Sequence, residues 1–280
     1  MAGKTDGIVL ITGASSGLGK ATALYLARKG YRVVGTSRDA RRLASLEETA
    51  AAEKLALSGV QLDINDEGAV TSAVPGIFAE HGGVDALVNN AGYGHWGPGE
   101  SFSDAELKAQ FETNFFAAAR LMRAVLPGMV KNEHGTIVNV SSVEGRLATP
   151  FSGAYAASKF ALEGLSEAMR VELWPLGVRV AMVEPGLFPT QFFENQVIAE
   201  RAEDENLPYR DMLARYRQKR LKYERDTDPD DVARVIHKII RSRKPRFRYP
   251  VGIDARAGML AARFLPERLF QALLSRATLR

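Results

Sequence analysis

Short apolar runs alternate with segments of helical spacing from residue 8 to residue 183. Parallel pairing of two strands needs a crossover of a dozen or more residues, and the intervening segments are long enough to supply it. The alternation therefore predicts an α/β fold with a doubly wound, mainly parallel sheet and helices on both faces. The six candidate strands are Ile8–Ile11, Arg32–Thr36, Gly59–Asp63, Val84–Val88, Thr136–Val140 and Val178–Val183.

Capping residues place several helix ends. Asp66 is a good N-cap, and Ser103 with Glu106 has the form of a capping box. The helix that begins there is expected to be long, with Pro127 bending or breaking it. Asp228, followed by a proline at the first helical position, predicts a further helix.

The alternation stops after residue 186. Residues 187–227 are polar, charged and weakly helical, and we interpret this long insertion as a substrate lid. An edge strand is expected at 247–251, and the tail, 253–280, carries an apolar helical face. That face is expected to pack on its own domain or on a second copy rather than on a membrane. Because no repeat or linker divides the chain, residues 1–280 are predicted to form a single domain.

Composition removes several classes of function. The chain has no cysteine, which excludes disulfides, thiolate metal sites and thiol nucleophiles. Its net charge of +4 is too small an excess to predict nucleic-acid binding. No 18-residue apolar run predicts a transmembrane span, and the N-terminus lacks the features of a signal peptide. These observations favour a cytoplasmic protein. The four histidines are too scattered for a metal motif: His81, His95, His134 and His237.

A glycine-rich turn follows the first candidate strand. Gly13, Gly17 and Gly19 lie between an apolar strand and a helical segment. Glycines in that position allow a tight turn and let the backbone approach a pyrophosphate at a helix N-terminus. The spacing is Thr-Gly-x-x-x-Gly-x-Gly rather than Gly-x-Gly-x-x-Gly, but its context predicts a nucleotide-binding turn.

The end of the second candidate strand favours NADP(H) over NAD(H). An acidic residue there would accept a hydrogen bond from the ribose 2′-hydroxyl of NAD, but Ser37 and Arg38 occupy the place. A guanidinium attracts a 2′-phosphate, whereas a carboxylate repels it. Asp39 follows, and we interpret it as a helix N-cap or a solvent-facing residue.

Tyr155 and Lys159 are four residues apart in a segment of helical spacing, so their side chains share one face. An ammonium beside the phenol should lower the pKa of Tyr155 from its usual value of about 10. Such a phenol can act as a general acid or base near neutrality. Ser142, at the end of the fifth candidate strand, could reach the same point. Spacing alone fits an ordinary surface pair better, and it is the glycine turn that favours the catalytic interpretation.

Together these motifs resemble the short-chain dehydrogenase/reductase family, over about two-thirds of the chain. The stretches that carry the resemblance are Thr12–Gly19, Asn89–Gly92, Ser142 with Tyr155 and Lys159, and Pro185–Gly186 followed by Thr190. Within the family, Pro150-Phe151 and residues 155–164 are similar to the 17β-hydroxysteroid and retinol dehydrogenase branch. The resemblance implies a Rossmann-type fold and an oxidoreductase.

The resemblance implies a role for each of four catalytic residues. In carbonyl reduction Ser142 would donate a hydrogen bond to the substrate oxygen, and Tyr155 would protonate it. Lys159 would lower the pKa of Tyr155 and hold the nicotinamide ribose. Asn114, through its backbone and a water, would connect Lys159 to solvent. Oxidation would run the same roles in reverse.

With Ser37 and Arg38, the resemblance also gives a cofactor-binding set. Its members are Gly13, Ser15, Ser16, Gly17, Leu18, Gly19, Ser37, Arg38, Asp63, Ile64, Asn90, Ala91, Gly92, Tyr155, Lys159, Gly186, Phe188 and Thr190. The glycine turn is expected at the phosphates, Asp63 and Ile64 at the adenine, and Thr190 at the nicotinamide carboxamide. Phe188 stands where the family usually has Val or Ile, at a position that contacts the cofactor through its backbone.

A lipophilic alcohol or ketone is the expected substrate, because apolar residues flank the site in sequence. They are Leu147, Phe151, Phe188, Phe192 and Phe193, although several could simply pack the lid. His95 and Trp96 are expected to edge the same pocket. Steroid, retinoid, aliphatic ketone and 3-oxoacyl-thioester substrates all stay open.

Two other classes compete with this oxidoreductase. The first is a nucleotide-sugar epimerase or dehydratase, which the short chain, the glycine spacing and the missing C-terminal substrate domain disfavour. The second is a non-catalytic NADP(H) sensor, which need not keep the complete set of four catalytic residues. The resemblance implies a homodimer or homotetramer through the helices that hold Asn114 and Tyr155.

Overall fold

A parallel sheet of seven strands forms the centre of the computed structural model, which describes residues 7–192, 195–221 and 227–279. The strands are β1 (Ile8–Thr12), β2 (Arg32–Ser37), β3 (Leu57–Gln61), β4 (Ala86–Asn89), β5 (His95–Trp96), β6 (Gly135–Val140), β7 (Val178–Pro185), β8 (Val197–Ile198) and β9 (Arg248–Val251). The helices are α1 (Gly17–Arg28), α2 (Ala40–Ala52), α3 (Glu67–His81), α4 (Asp104–Phe111), α5 (Ala117–Lys131), α6 (Gly153–Leu173), α7 (Arg210–Leu221), α8 (Pro229–Ile240), α9 (Ile253–Phe264) and α10 (Glu267–Leu279).

The strand order is β3-β2-β1-β4-β6-β7-β9, with every pairing parallel. The chain adds strands on one side of β1 and then on the other, so β1 and β4 are neighbours where the order reverses. Ligands of such sheets bind in the crevice at the carboxyl ends of the strands at this switch point. The predicted doubly wound architecture is confirmed, and β9 forms the expected edge strand.

Alternating side chains of the strands fill two hydrophobic layers. Val9 and Ile11 of β1 face the layer that includes α1 and α8, whereas Leu10 faces the layer of α3, α5 and α6. All three are fully buried. Burying a side chain of this size contributes about 1.5–3 kcal/mol, so the two layers fix the strand ends from which the site is built.

The predicted capping residues lie where the sequence places them. Asp66 accepts a 2.9 Å hydrogen bond from Ala69 N at the start of α3. Ser103 and Glu106 form a reciprocal capping box at α4. Asp228 caps α8, with Pro229 at its first position. Local side-chain chemistry therefore sets these helix ends.

The sequence suggested that Pro127 bends or breaks the long helix after Ser103. The helix does not break there. Pro127 lies inside α5 without ending it, whereas Glu112–Phe116 form a π-helical turn between α4 and α5. The buried face of α5 offsets the one backbone hydrogen bond that a proline removes. A single π turn is frequent at functional sites, and this one holds Asn114.

Residues 187–227 contain β8, a 3₁₀ turn and α7, and β8 pairs with β5 in a separate two-stranded sheet. In the tail, α9 follows the edge strand, and α10 packs against α7 and α9. The tail thus packs partly on its own domain. Its outward side exposes apolar side chains, including Ile253, Leu260 and Phe264. No helix within the described residues is long and apolar enough to cross a membrane.

Candidate active site

A cavity of about 1080 Å³ lies at the carboxyl ends of the central strands. Arg38 lines it at the end of β2, Gly13 and Gly17 line it after β1, and Ser142 and Tyr155 line it beyond β6. The residues expected to bind a cofactor and those expected to carry chemistry therefore share one cavity.

Backbone conformation at the glycine turn requires glycine. Gly13 and Gly17 have φ values of +63° and +50°, in the left-handed region. Gly19 does not line the cavity, and a Cβ there would overlap the Gly13 carbonyl oxygen and the Asn90 side chain. Asn90 Nδ2 donates to the Thr12 carbonyl over 3.0 Å, which ties the turn to the end of β4.

The N-terminus of α1 forms part of the cavity wall through Ser16, Gly17 and Leu18. Among the described contacts, the N-cap Ser16 makes no side-chain hydrogen bond to the first turn. The N–H groups of that turn have no intrahelical partners and attract anions. An uncapped helix start beside glycines that a Cβ would crowd fits the pyrophosphate of a dinucleotide.

Polar contacts organise the far end of the cavity at β2. Ser15 Oγ donates to Ser37 Oγ over 2.8 Å, and Arg38 and Arg42 both line the cavity. The Asp39 carboxylate accepts from Arg42 N at 3.1 Å and Arg41 N at 3.0 Å, and these bonds lower its pKa. The N-cap interpretation of Asp39 is thus confirmed, since this carboxylate caps α2.

Lys159 is buried in α6 with its amine close to the cavity. Its Nζ donates a 2.9 Å hydrogen bond to the Val140 carbonyl at the end of β6, and lies 5.8 Å from the centroid of the Tyr155 ring. Burial lowers the pKa of the Lys159 amine to about 8, while the negative charge of Glu163 acts in the opposite direction. A lysine of this kind changes its charge within an accessible pH range.

Aromatic side chains surround Tyr155, which is 6% exposed. The Trp96 ring stacks at 6.1 Å and the Phe192 ring lies at 5.6 Å, centroid to centroid. Trp96 comes from β5 and Phe192 from the lid. The Tyr155 ring is therefore fixed between a buried wall and a residue of the lid.

Asn114 lies behind the cavity rather than in its lining. Its Oδ1 accepts from Tyr93 N at 3.1 Å, and its Nδ2 donates to Ser158 Oγ at 3.0 Å. A Cβ on Gly92 would come within 3.0 Å of Asn114 Oδ1 and 3.5 Å of Lys159 Nζ. The missing side chain at Gly92 thus leaves room between the two.

Ser142 is the N-cap of a 3₁₀ turn just after β6, and its Oγ accepts from Glu144 N at 3.1 Å. The hydroxyl lines the same cavity as Tyr155 and Lys159. The structure therefore brings these three side chains together, as predicted from the sequence, and places Asn114 one layer behind them.

The remaining residues of the expected cofactor set also line the cavity. They are Asp63, Ile64, Asn90, Ala91, Gly92, Gly186, Phe188 and Thr190. The Asp254 carboxylate of α9 accepts from Leu187 N at 2.7 Å and fills the space that a side chain at position 186 would need. Phe188 is also part of the core layer below the cavity. No group of three or more metal-ligating side chains occurs within the described residues.

The expected substrate-facing residues divide into two groups. Leu147 and Phe192 line the cavity, whereas Phe151 does not and packs against Ala199, Ala202 and Leu213 of the lid. Phe193 lies outside the described residues. Phe151 is thus one of the residues that simply pack the lid.

The expectation that His95 and Trp96 edge the pocket is wrong. Both are buried and neither lines the cavity, because the His95 ring packs against Phe102 and the Trp96 ring against Tyr155 and Tyr216. His95 Nε2 lies 3.4 Å from Glu106 Oε1, and burial lowers the pKa of the His95 imidazole. Trp96 acts as the wall behind Tyr155.

A chain of polar contacts from the lid to Ser142 was not predicted. The Tyr216 hydroxyl of α7 lies 3.0 Å from Thr149 Oγ1. The Thr149 hydroxyl in turn donates a 2.8 Å hydrogen bond to Glu144 Oε1. Glu144 N in turn bonds to Ser142. A signal was available, since Leu213 and Tyr216 are three residues apart and form the buried stripe of an otherwise charged helix.

A doubly wound parallel sheet, a glycine turn at its switch point and a buried tyrosine–lysine pair on the same cavity define a Rossmann-type oxidoreductase. The family model for short chain dehydrogenase matches residues 7–201. The chain belongs to the short-chain dehydrogenase/reductase family, with relatives in its retinol dehydrogenase branch, which confirms the resemblance seen in the sequence.

Two characterised relatives match most of the chain. Retinol dehydrogenase 8 of Bos taurus is 42% identical over 253 residues, covering 86% of this chain and 80% of its own length. The 3-ketodihydrosphingosine reductase of Bacteroides thetaiotaomicron is 39% identical over 246 residues, covering 88% and 87%.

Solved structures agree with the fold over nearly the whole chain. A short-chain dehydrogenase from Streptomyces avermitilis has a TM-score of 0.83 at 33% identity and covers 96% of both chains. An enzyme of the family from Burkholderia phymatum, in complex with NAD, has a TM-score of 0.80 at 28% identity, covering 96% of this chain and 95% of its own. A metagenomic short-chain oxidoreductase in complex with NADP has a TM-score of 0.70 at 30% identity, with coverages of 88% and 97%.

Proposed function

We propose that the chain is an NADP(H)-dependent oxidoreductase that interconverts a lipophilic secondary alcohol and a ketone, or the corresponding aldehyde. The observation that carries the proposal is the one cavity lined by the glycine turn, Arg38 and the Tyr155–Lys159 pair. A dinucleotide held along the first part of this cavity would end beside the second. The same cavity would therefore hold the hydride donor and the proton donor.

Charge at the end of β2 supports NADP(H) over NAD(H). Arg38 and Arg42 line the cavity there, and the Asp39 carboxylate is engaged at the start of α2. A 2′-phosphate would gain charge-assisted hydrogen bonds from the guanidinium groups. Of the three solved structures described above, one is a complex with NADP and one a complex with NAD, which supports a nicotinamide dinucleotide in general.

The nicotinamide cofactor supplies hydride transfer when it is bound. In reduction the Tyr155 hydroxyl gives its proton to the substrate oxygen, and the Ser142 hydroxyl donates a hydrogen bond to the same atom. The Lys159 ammonium stabilises the negative charge left on the Tyr155 oxygen. Burial of Tyr155 and Lys159 excludes water and strengthens these interactions. Asn114 holds Ser158, next to Lys159 on α6, in place.

The substrate end of the cavity supports an apolar compound. Leu147, Leu187 and Phe192 line it together with Tyr216 of the lid. The relatives named for retinol and for 3-ketodihydrosphingosine point to the same chemical class. A 3-oxoacyl thioester is the other candidate substrate, since it also carries a ketone on an apolar chain.

A screen of NADPH oxidation tests the proposal. The panel contains aliphatic ketones, steroid ketones, retinoid aldehydes and 3-oxoacyl thioesters, each assayed with the wild type and with Tyr155→Phe. Turnover of at least one apolar class by the wild type, and loss of that turnover in the variant, is the expected result. Binding of NADPH without turnover of any compound would replace the enzyme with a non-catalytic NADP(H) sensor.

A further inference from the structure

Two carboxyl groups, one on α6 and one on β7, are buried close to each other. Glu163 of α6 is 4% exposed and Glu184 of β7 is 1% exposed. The Oε1 atom of each has no hydrogen-bond partner within the described residues when both groups are treated as ionised acceptors. An unpaired buried carboxylate oxygen is costly, so two at one place require an explanation.

One guanidinium serves both groups. Arg248 Nε lies 3.0 Å from Glu163 Oε2 and 3.6 Å from Glu184 Oε1, and its Nη2 donates at 2.9 Å to the exposed Glu167. Arg146 also attracts the Glu184 carboxylate, more strongly than Arg248 does. Arg248 is only partly buried and is shared with Glu167, and Arg146 is exposed, so these guanidinium groups compensate two fully ionised buried carboxylates incompletely.

A shared proton resolves the imbalance. Glu184 is within hydrogen-bonding reach of Glu163, and burial, followed by the charge of Glu163, raises the pKa of the Glu184 carboxyl to about 7. A carboxyl group can donate to a neighbouring carboxylate only when one of the two is protonated.

The pair lies directly behind the active site. Glu163 follows Lys159 by four residues on α6, so the two side chains share one helix face. The charge of Glu163 acts on the Lys159 amine and opposes the effect of burial. The charged groups that face the pair are therefore Lys159 and Glu167 on α6, Arg248 on β9 and Arg146 after the 3₁₀ turn.

We propose that Glu163 and Glu184 hold one proton between them, and that the single negative charge left on the pair keeps the Lys159 amine protonated at the active site. Both are positioning residues that act through Lys159. The inference relies on the proposed function only for the catalytic use of that amine.

Infrared spectroscopy of the cofactor-free protein tests the shared proton. The wild type is expected to show the carbonyl band of a buried carboxylic acid, which disappears as the pH rises through about 7. Glu184→Gln should lose the band, whereas in Glu163→Gln the pH at which the band disappears should fall, because burial of Glu184 remains and the charge of Glu163 is removed. Glu167→Gln, on the same helix and the same arginine, should keep the band. A missing band in the wild type, or an unchanged midpoint in Glu163→Gln, would overturn the shared proton.

Titration of Lys159 tests the action on the active site. Nuclear magnetic resonance of protein labelled at the lysine ε-carbons follows the amine, with Lys159→Met to assign the signal. Glu163→Gln should move the midpoint to lower pH by about one unit, and Glu167→Gln should leave it unchanged. An unchanged midpoint in Glu163→Gln would refute the proposal. Because neither readout uses turnover, failure of every carbonyl substrate would remove the proposed function and leave this inference standing.

Discussion

The Lys159 amine donates a 2.9 Å hydrogen bond to the carbonyl of Val140, the last residue of β6. The bond joins α6 to the strand from which Ser142 emerges two residues later. Because Tyr155 precedes Lys159 by one helical turn, this contact fixes all three side chains relative to the sheet. The arrangement makes the amine both a buried cation and a structural donor, with consequences for stability as well as chemistry.

The stability that depends on Lys159 should vary with pH. Burial lowers the pKa of the amine from 10.5 to about 8, so between these values the unfolded chain binds the proton and the folded chain does not. The free energy of unfolding must rise with pH across this window. In urea unfolding of cofactor-free protein, we expect the free energy of unfolding of the wild type, relative to that of Lys159→Met, to rise by about 3 kcal/mol from the lower to the upper end of the window. A difference that is flat with pH would contradict the buried amine.

Exchange of Arg38 for aspartate should change the cofactor preference. The guanidinium favours a 2′-phosphate and the carboxylate repels it, so the ratio of NADPH to NADH affinity should fall about tenfold to a hundredfold. Fluorescence titration with each cofactor measures the ratio. Arg41→Asp makes the same change of charge at a neighbouring residue that does not line the cavity, and should alter the ratio little. Equal ratios in wild type and Arg38→Asp would remove Arg38 from cofactor selection.

A methyl group at Gly19 should disturb both folding and cofactor binding. The added Cβ would overlap the Gly13 carbonyl oxygen, which is backbone and cannot rotate away. We expect Gly19→Ala to lose about 1–3 kcal/mol of stability and to bind NADPH more weakly. Gly76→Ala is the matched control, since its Cβ meets nothing within 4 Å in α3, and the better helix propensity of alanine should stabilise it slightly. Thermal unfolding with and without NADPH separates the two effects.

Loss of the Tyr216 hydroxyl should weaken substrate binding more than cofactor binding. Tyr216→Phe keeps the ring against Trp96 and Phe151 but removes the 3.0 Å contact with Thr149. A hydrogen bond of this kind contributes about 0.5–1.5 kcal/mol, so we expect KM to rise severalfold while the affinity for NADPH stays constant. Tyr209→Phe, in the lid but away from the cavity lining, serves as the control. An equal KM for Tyr216→Phe and wild type would show that the hydrogen bond between Tyr216 and Thr149 does not contribute to substrate binding.

Features set by neighbouring residues were predictable from the sequence. The strand–turn–helix at Gly13 and the N-cap at Asp39 depend on backbone and side chains a few residues apart. The parallel pairing of the strands follows from crossovers of a dozen or more residues. Tyr155 and Lys159 share a face because helical spacing alone determines it.

Contacts between distant segments were not predictable in this way. His95 and Trp96 pair with Val197 and Ile198, about a hundred residues later in the chain. The bond between Tyr216 and Thr149 likewise requires the lid to fold back on the loop after β6. The π-helical turn at Asn114 gives no periodic signal over five residues. Packing of elements, rather than local propensity, decides each of these.

The most direct test of the proposed chemistry is the turnover of Tyr155→Phe in the presence of NADPH and an apolar carbonyl substrate found by the screen. Phenylalanine preserves the ring between Trp96 and Phe192 and removes only the hydroxyl that would give up a proton. We expect kcat to fall by about 10²–10⁴-fold, with the affinity for NADPH unchanged. Turnover close to that of the wild type would show that Tyr155 is not the proton donor and would contradict the account.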